Sequence, residues 1–443
     1  MTKFRFQFSV SSKRPTERNK KMSVYLGILW TVVSLCCFCL GIPFGCAAES
    51  SNEEDAVVVA ALLPFTGDLS AYGTNYERAL LLAADRINEA GGIGGKPLRL
   101  VSADTHSDPK KAVEALDALA SRDIAGVIGP DGVDITLEIS ASTDIGDLTQ
   151  IIPAITAPVR SAGRTPDADW FHIAPGPELF GCVLGQQVYD DGGARLIIIN
   201  QNDTFFSNMA SAAAVQYNSL LVPETDAHRA TAVSIPFQPG QNTYLELVSQ
   251  AIERQPDSVV LLAHPETAAK LVNAWSASGG NPKWYLAPTL ETDVFLANSP
   301  SEALEGSFGV GAELPSDRDT FASEYSKMWS GSTPVTASYF YYDALVLFAL
   351  SYEAAYREHG GPPNKSLIQE FITSTSRSGN TEVGWNEVDK GLSLVADGEE
   401  INYRGASGNM DLEDTGELSD SDMARYWRIK GGRIVSGESI GCR

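Results

Sequence analysis

From residue 56 onward, short apolar β-branched runs alternate strictly with longer stretches of helical period. A parallel sheet demands this alternation, because each strand must be followed by a crossover that returns the chain to the same edge. The first run, Ala56-Val57-Val58-Val59-Ala60-Ala61-Leu62-Leu63, has no polar residue and predicts a strand covered on both faces. Pro64-Phe65-Thr66-Gly67-Asp68 breaks it. A helix is then predicted over about 74–90, with Ala79, Leu80, Ala83, Ala84 and Ile87 at helical spacing. Glycines at 91, 92, 94 and 95 stop that helix. A strand at Leu98–Ala103, a helix over about 110–121 and a strand at 126–128 continue the pattern, with right-handed crossovers.

The pattern restarts after His172-Ile173-Ala174-Pro175-Gly176-Pro177. Helices at Phe180–Asp190, 207–218, 243–253 and 266–277 alternate with strands at Ala194–Asn200, 231–235, Ser258–Leu262 and Trp284–Ala287. Two more helices are expected at 320–329 and 339–357, and a short strand at Arg425–Lys430. The fold class expected is α/β: two doubly wound parallel-sheet lobes joined by crossing hinge strands. The expected division gives residues 1–48 to a signal segment and 55–174 to the first part of lobe 1. It gives 175–308 to lobe 2, 309–398 back to lobe 1, and 399–443 to a return into lobe 2 with the tail.

The leader is a separate object. Seven basic residues lie within positions 1–21, an apolar stretch runs from Val24 to about Ile42, and small residues follow at Gly45, Ala47 and Ala48. This is the order of a secretory signal, and Met22 is an alternative start. The apolar stretch is also long enough to remain as an anchor. Two cleavage readings stand side by side: lipoprotein processing with lipidation at Cys46, or ordinary cleavage after Ala48. Either places the mature chain in the periplasm or on the outer face of the cell membrane. The membrane is then touched only through a lipid or the signal itself.

The whole chain has 33 basic and 56 acidic residues. Residues 1–46 hold seven basic residues and one acidic, so the remainder carries 26 against 55, a net charge of −29. Such a surface repels phosphate backbones, and no nucleic-acid partner is expected. Beyond the leader and Cys46, two cysteines remain, Cys182 and Cys442. An oxidising compartment favours their pairing; the alternative is two unrelated thiols.

Several tempting motifs have plainer readings. Asp104-Thr105-His106-Ser107-Asp108 matches no recognised metal-ligand spacing, and a solvated loop capping the next helix explains it. Asp104, at a strand end, is placed to order neighbouring loops. The glycine run before Lys96 follows a helix instead of linking strand to helix, the wrong order for a phosphate cradle. Tyr339-Phe340-Tyr341-Tyr342 reads as core. None of the five histidines sits in a recognisable catalytic pattern. Neither enzymatic activity, nor a cofactor, nor a metal is expected.

In open parallel sheets, ligands bind outside the carboxyl ends of the strands. The loops to read are therefore 64–73, 104–109, 129–134, 152–158, 200–207, 263–266 and 287–293. Several of them carry a resemblance. Leu62-Leu63-Pro64-Phe65-Thr66-Gly67 with Tyr72-Gly73, and the helix end Asp85-Arg86-Ile87-Asn88-Glu89-Ala90-Gly91-Gly92-Ile93, form the first part. Asp104 with Asp108-Pro109, Val127-Ile128-Gly129-Pro130, Ile152-Pro153-Ala154-Ile155-Thr156-Ala157-Pro158 and Ile401-Asn402-Tyr403-Arg404-Gly405-Ala406-Ser407-Gly408 form the rest. Over roughly 55–435 the chain resembles the solute-binding proteins of branched-chain amino acid ABC transporters, which have the class I periplasmic-binding fold.

The resemblance implies that an amino acid or related small polar molecule binds between the lobes without being transformed. The backbone and side chain of Thr156 and the carbonyl of Ala154 are the implied contacts for its carboxylate and amino group. Gly132 and Val133 stand where that family usually has a loop hydroxyl. Thr289 stands near the usual acid for the ammonium, and Glu291 lies two residues on. Phe205 fits an aromatic lid, His264 replaces a frequent Tyr, and Tyr72 stacks on the ligand or closes the rim. The implied partners are permease and ATPase subunits. A sensory role, presenting occupancy to a receptor, is the alternative, and an enzyme using the same cleft a third.

Overall fold

The computed structural model describes residues 56–120, 122–142, 148–154, 170–223, 225–377, 379–418 and 423–443. The leader and Cys46 lie outside these residues.

Strand β1 (Val57–Leu63) is buried at every position, as a two-faced central strand must be. Helix α1 (Ser70–Glu89) follows, then β2 (Leu98–Asp104), α2 (Pro109–Ala120), β3 (Ile124–Ile128), α3 (Val133–Ser142), β4 (Thr149–Ile152) and β5 (Trp170–His172). The five strands form one sheet in the order β2-β1-β3-β4-β5, and every pairing is parallel. Helix α1 begins four residues before the expected Thr74, because Ser70 and Tyr72 already donate backbone bonds to Gly67 and Leu69. Gly73 makes this start possible: a Cβ there would lie 2.4 Å from the carbonyl oxygen of Pro64.

The second series is α4 (Pro177–Asp190), β6 (Leu196–Gln201), α5 (Thr204–Ser219), β7 (Val233–Phe237), α6 (Leu245–Ile252), β8 (Ser258–Leu262), α7 (Pro265–Ala277) and β9 (Lys283–Leu286). A 3-10 turn at Pro288–Leu290 leads to α8 (Asp293–Asn298), α9 (Ser301–Leu304) and β10 (Phe308–Ala312). The chain then forms α10 (Arg318–Met328), α11 (Thr336–His359), α12 (Lys365–Arg377), β11 (Thr381–Gly384), α13 (Val388–Asp397), β12 (Ile401–Gly405) and β13 (Gly408–Asn409). It ends with β14 (Met423–Lys430) and β15 (Arg433–Gly441). The second large sheet has the order β15-β14-β10-β9-β8-β6-β7. It is parallel from β7 to β10, while β14 and β15 join antiparallel as an edge hairpin. β11, β12 and β13 make a third, small sheet.

Two cores result. The first gathers β1, α1 and the aromatic-rich α11, and it includes Ile401, Tyr403, Met410 and Leu412. The second gathers β6, β8, β9 and β10 with Trp427 and Ile429 of β14. The return to the second core therefore falls at β14, not at the expected residue 399. The reason is that Ile401 and Tyr403 face the buried flank of α11 while Glu413–Leu418 runs beside β5. Asp343 of α11 fixes that segment: its carboxylate accepts from Tyr403 Oη at 2.8 Å, Ala406 N at 2.7 Å, and Ser407 N at 2.8 Å. Cys182 of α4 is disulfide-bonded to Cys442 just beyond β15, with Cα atoms 5.7 Å apart. Among the described residues, no helix is long and apolar enough to cross a membrane.

Candidate functional site

A cavity of about 280 Å³ lies where the strand-end loops of the two lobes meet. The first lobe contributes Asp68, Tyr72 and Tyr76 around the start of α1, and Asp131–Ile135 at the start of α3. The second contributes Gln201–Asp203 and Phe205 after β6, His264 after β8, and Pro288, Thr289, Glu291 and Thr292 after β9. Val335–Ala337, leading into α11, completes the wall. These are carboxyl ends of parallel strands, where helix starts leave backbone groups free to meet a ligand.

Direct bonds join the lobes across this space. Tyr72 Oη donates to the carbonyl of Thr289 at 2.8 Å. Thr204 Oγ1 donates to Asp134 Oδ1 at 2.5 Å. Tyr72 is placed for this by an aromatic stack, with Tyr76 5.9 Å away and Tyr341 of α11 4.1 Å beyond Tyr76, centroid to centroid.

Most of the residues picked out from the sequence converge here. Tyr72, Gly132, Val133, Phe205, His264, Thr289 and Glu291 all line the cavity. Their local roles are specific. Phe205 is buried and packs edge-on against Phe206 at 5.0 Å, which in turn meets His264 at 5.1 Å. Thr289 Oγ1 donates to the carbonyl of Ala263 at 2.9 Å, which ties the turn that presents its own carbonyl to Tyr72 back to the end of β8. Burial lowers the His264 ring to about 4, so it is neutral at pH 7.

Three expectations need restating. Ala154 is buried outside the cavity lining, and its carbonyl is 3.1 Å from His172 Nε2. Burial lowers His172 to about 4, which leaves a neutral ring in contact with that carbonyl. Glu291 is in the cavity wall but is no free acid: Arg425 Nη2 of β14 donates to its two oxygens at 2.7 and 2.8 Å, and Thr336 Oγ1 is 3.1 Å away. Thr156 lies outside the described residues. The Asp104 carboxylate is occupied by the N–H groups of Phe65 and His106 and by Thr66, so it ties the β1 and β2 loops together.

Some wall residues were not singled out in advance. Burial raises Asp131 to about 6, against the donated bond from Tyr76 Oη at 3.0 Å. Burial also raises Asp203 to about 7, against the N–H of Phe206 that its side chain caps, and Asp134 and Asp68 push it the same way. Gln201 is 4% exposed, and its Oε1 has no hydrogen-bond partner. The available signal was position: Gln201-Asn202-Asp203 follows directly on an apolar strand.

Two α/β lobes enclosing a small cavity between their strand ends define a cleft-type ligand-binding protein. The chain belongs to the periplasmic binding protein family, whose sequence profile matches residues 56–389. It is 26% identical over 370 residues to the chemotactic signal transduction system substrate-binding protein BasB of Halobacterium salinarum, covering 80% of this chain and 83% of that one. It is 32% identical over 178 residues to an amino acid binding protein of Pseudomonas aeruginosa, covering 40% and 47%. Among solved structures, the leucine binding protein LivK of Thermotoga maritima superposes with a TM-score of 0.70 at 16% identity, over 87% of this chain and 99% of that chain. The substrate binding protein LivJ of Streptococcus pneumoniae, in complex with isoleucine, gives the same TM-score and identity. At that identity the likeness is one of fold: the class I periplasmic-binding architecture.

Proposed function

We propose that this chain is the non-enzymatic solute-binding component of an ABC importer. It takes an amino acid or related small polar molecule into the interlobe cavity and delivers it to permease and ATPase subunits. It is exported by its leader and works in the periplasm or at the outer face of the cell membrane. The observation that carries the reading is the cavity itself: both lobes line it, and Tyr72 bonds to Thr289 across it. A ligand touching both walls favours the closed form by its extra contacts there, so occupancy is reported as shape.

A second reading is sensory: the same closed shape presented to a receptor. The similarity to BasB, a chemotactic substrate-binding protein, over most of both chains favours keeping it. One pair of assays separates the two. Deleting the gene should abolish uptake of the labelled ligand if the chain serves an importer. Loss of chemotaxis toward that ligand with uptake intact assigns the sensory role. A thermal-shift screen of the protein against amino acids, amides, short carboxylates, purines and sugars comes first, since a ligand of the folded state alone raises the melting temperature. A screen with no shift anywhere overturns both readings.

A further inference from the structure

The wall of the cavity is one-sided in charge. Its described residues include Asp68, Asp131, Asp134, Asp203 and Glu291, and no Lys or Arg. Arg425 neutralises Glu291. The one described histidine of the wall is uncharged at pH 7, because burial lowers His264 to about 4. Four carboxyl groups therefore face the space without a basic partner in the described wall.

A second observation is independent of charge. Gln201 is almost fully buried, yet its Oε1 accepts nothing. A buried acceptor left unpaired is costly, and its residue is part of the cavity wall. It is grouped with the acids: the Gln201 side chain hydrogen-bonds Asp203, and Asp134 lies near enough to raise Asp203. Thr204, beside Asp203 in sequence, donates to Asp134 across the cleft. What this corner lacks is a donor carrying positive charge. An ammonium has three N–H groups and no acceptor, whereas a ligand carboxylate would meet like charge. The rings of Tyr72, Tyr76 and Phe205 line the same space and suit the stem or face of a cation.

We infer that the cleft takes an organic cation, a small molecule of net positive charge whose protonated amine or guanidinium beyond any α-amino acid group seats between Gln201 Oε1, Asp203 and Asp134. This rests on the ligand-binding reading above and names its ligand class. A cation at this corner also offsets the burial that raises Asp203 and the smaller repulsion from Asp134 and Asp68, so binding holds that carboxyl ionised.

The test is isothermal titration of the protein with matched pairs: L-arginine against L-citrulline, and L-lysine against L-norleucine. Putrescine and L-leucine are added as further probes. The expected result is that at least one cation binds ten times or more tightly than its neutral counterpart. Asp203→Asn and Asp134→Asn should each lower that affinity tenfold or more while both variants stay folded by circular dichroism. Neutral members binding as well as or better than cations, or cation affinity unchanged in both variants, overturns the cation assignment and leaves the solute-binding reading standing. No binding by any probe overturns this inference, and the broader screen then decides the reading beneath it.

Discussion

Tyr72 of α1 and Thr289 after β9 are 217 positions apart, yet the phenolic O–H of one donates to the carbonyl of the other at 2.8 Å. This bond exists only while the lobes are together, so it contributes to the closed form and not to either lobe alone. Tyr72→Phe keeps the ring in its stack and removes the donor. A net hydrogen bond is worth about 1 kcal/mol, so ligand affinity should fall about fivefold. Titration calorimetry reads the affinity, and the melting temperature without ligand should barely move. Unchanged affinity means the bond plays no part in closure.

Glu291 and Arg425 are paired at 13% and 4% side-chain exposure. Removing one charge leaves the other buried and uncompensated, at a cost of about 3–5 kcal/mol. Arg425→Met should lose that much in urea unfolding. Combining it with Glu291→Gln should recover more than half, because the orphaned charge goes too. If the double variant is as unstable as the sum of the singles, the pair is not coupled.

Asp203 gives a pH signature. Burial raises it to about 7 from an ordinary value of 3.8. The folded state thus holds its proton between about pH 4 and 7 where the unfolded chain has lost it, and stability falls as pH rises through that window. The groups facing Asp203 are Asp134, Asp68, Gln201 and the Phe206 N–H. Asp203→Asn keeps a good helix cap and abolishes the titration. Without ligand, the variant should melt about 2 °C or more above the parent at pH 8, with the two curves converging near pH 4. A constant difference across this range would refute the assignment. Ligand affinity of the parent should also weaken as pH falls below 7, if the ligand is the cation proposed.

Asp343 is fully buried, and four donors from Tyr403, Ala406 and Ser407 point at it. Asp343→Ala leaves those donors without an acceptor and should cost about 3 kcal/mol or more. Urea unfolding measures the loss. Hydrogen exchange should show the 401–412 segment released before the β1 strand. Uniform exchange across both would mean the carboxylate does not hold that segment in particular.

The sheets were legible because their central strands need no alternation. Val57–Leu63 and Leu196–Ile199 are apolar runs of strand length bounded by turn residues, and the loops after them place the cavity. Edge and tail elements were harder. β15 is mostly exposed, so its residues carry little apolar signal, and its strand form comes from pairing with β14. α12 buries Ile368 and Ile372, but Thr373-Ser374-Thr375-Ser376 weakens its helical period. Partner choice was illegible where it is non-local. Nothing near Glu291 announces Arg425, 134 positions on, and nothing near Ala154 announces the His172 ring that meets its carbonyl. Asp131 and Asp203 were readable as loop residues, but their elevated protonation depends on burial that only the closed fold supplies.

The bond between Cys182 and Cys442 spans 260 positions. Between those two cysteines run every strand from β6 to β15, together with the helices α10 to α13 that pack in the first lobe. The second lobe and the C-terminal half of the first are thus threaded on one covalent ring. A protease that nicks any single exposed loop between them opens the ring but frees no fragment, so the cut protein migrates as one piece until a reductant is added.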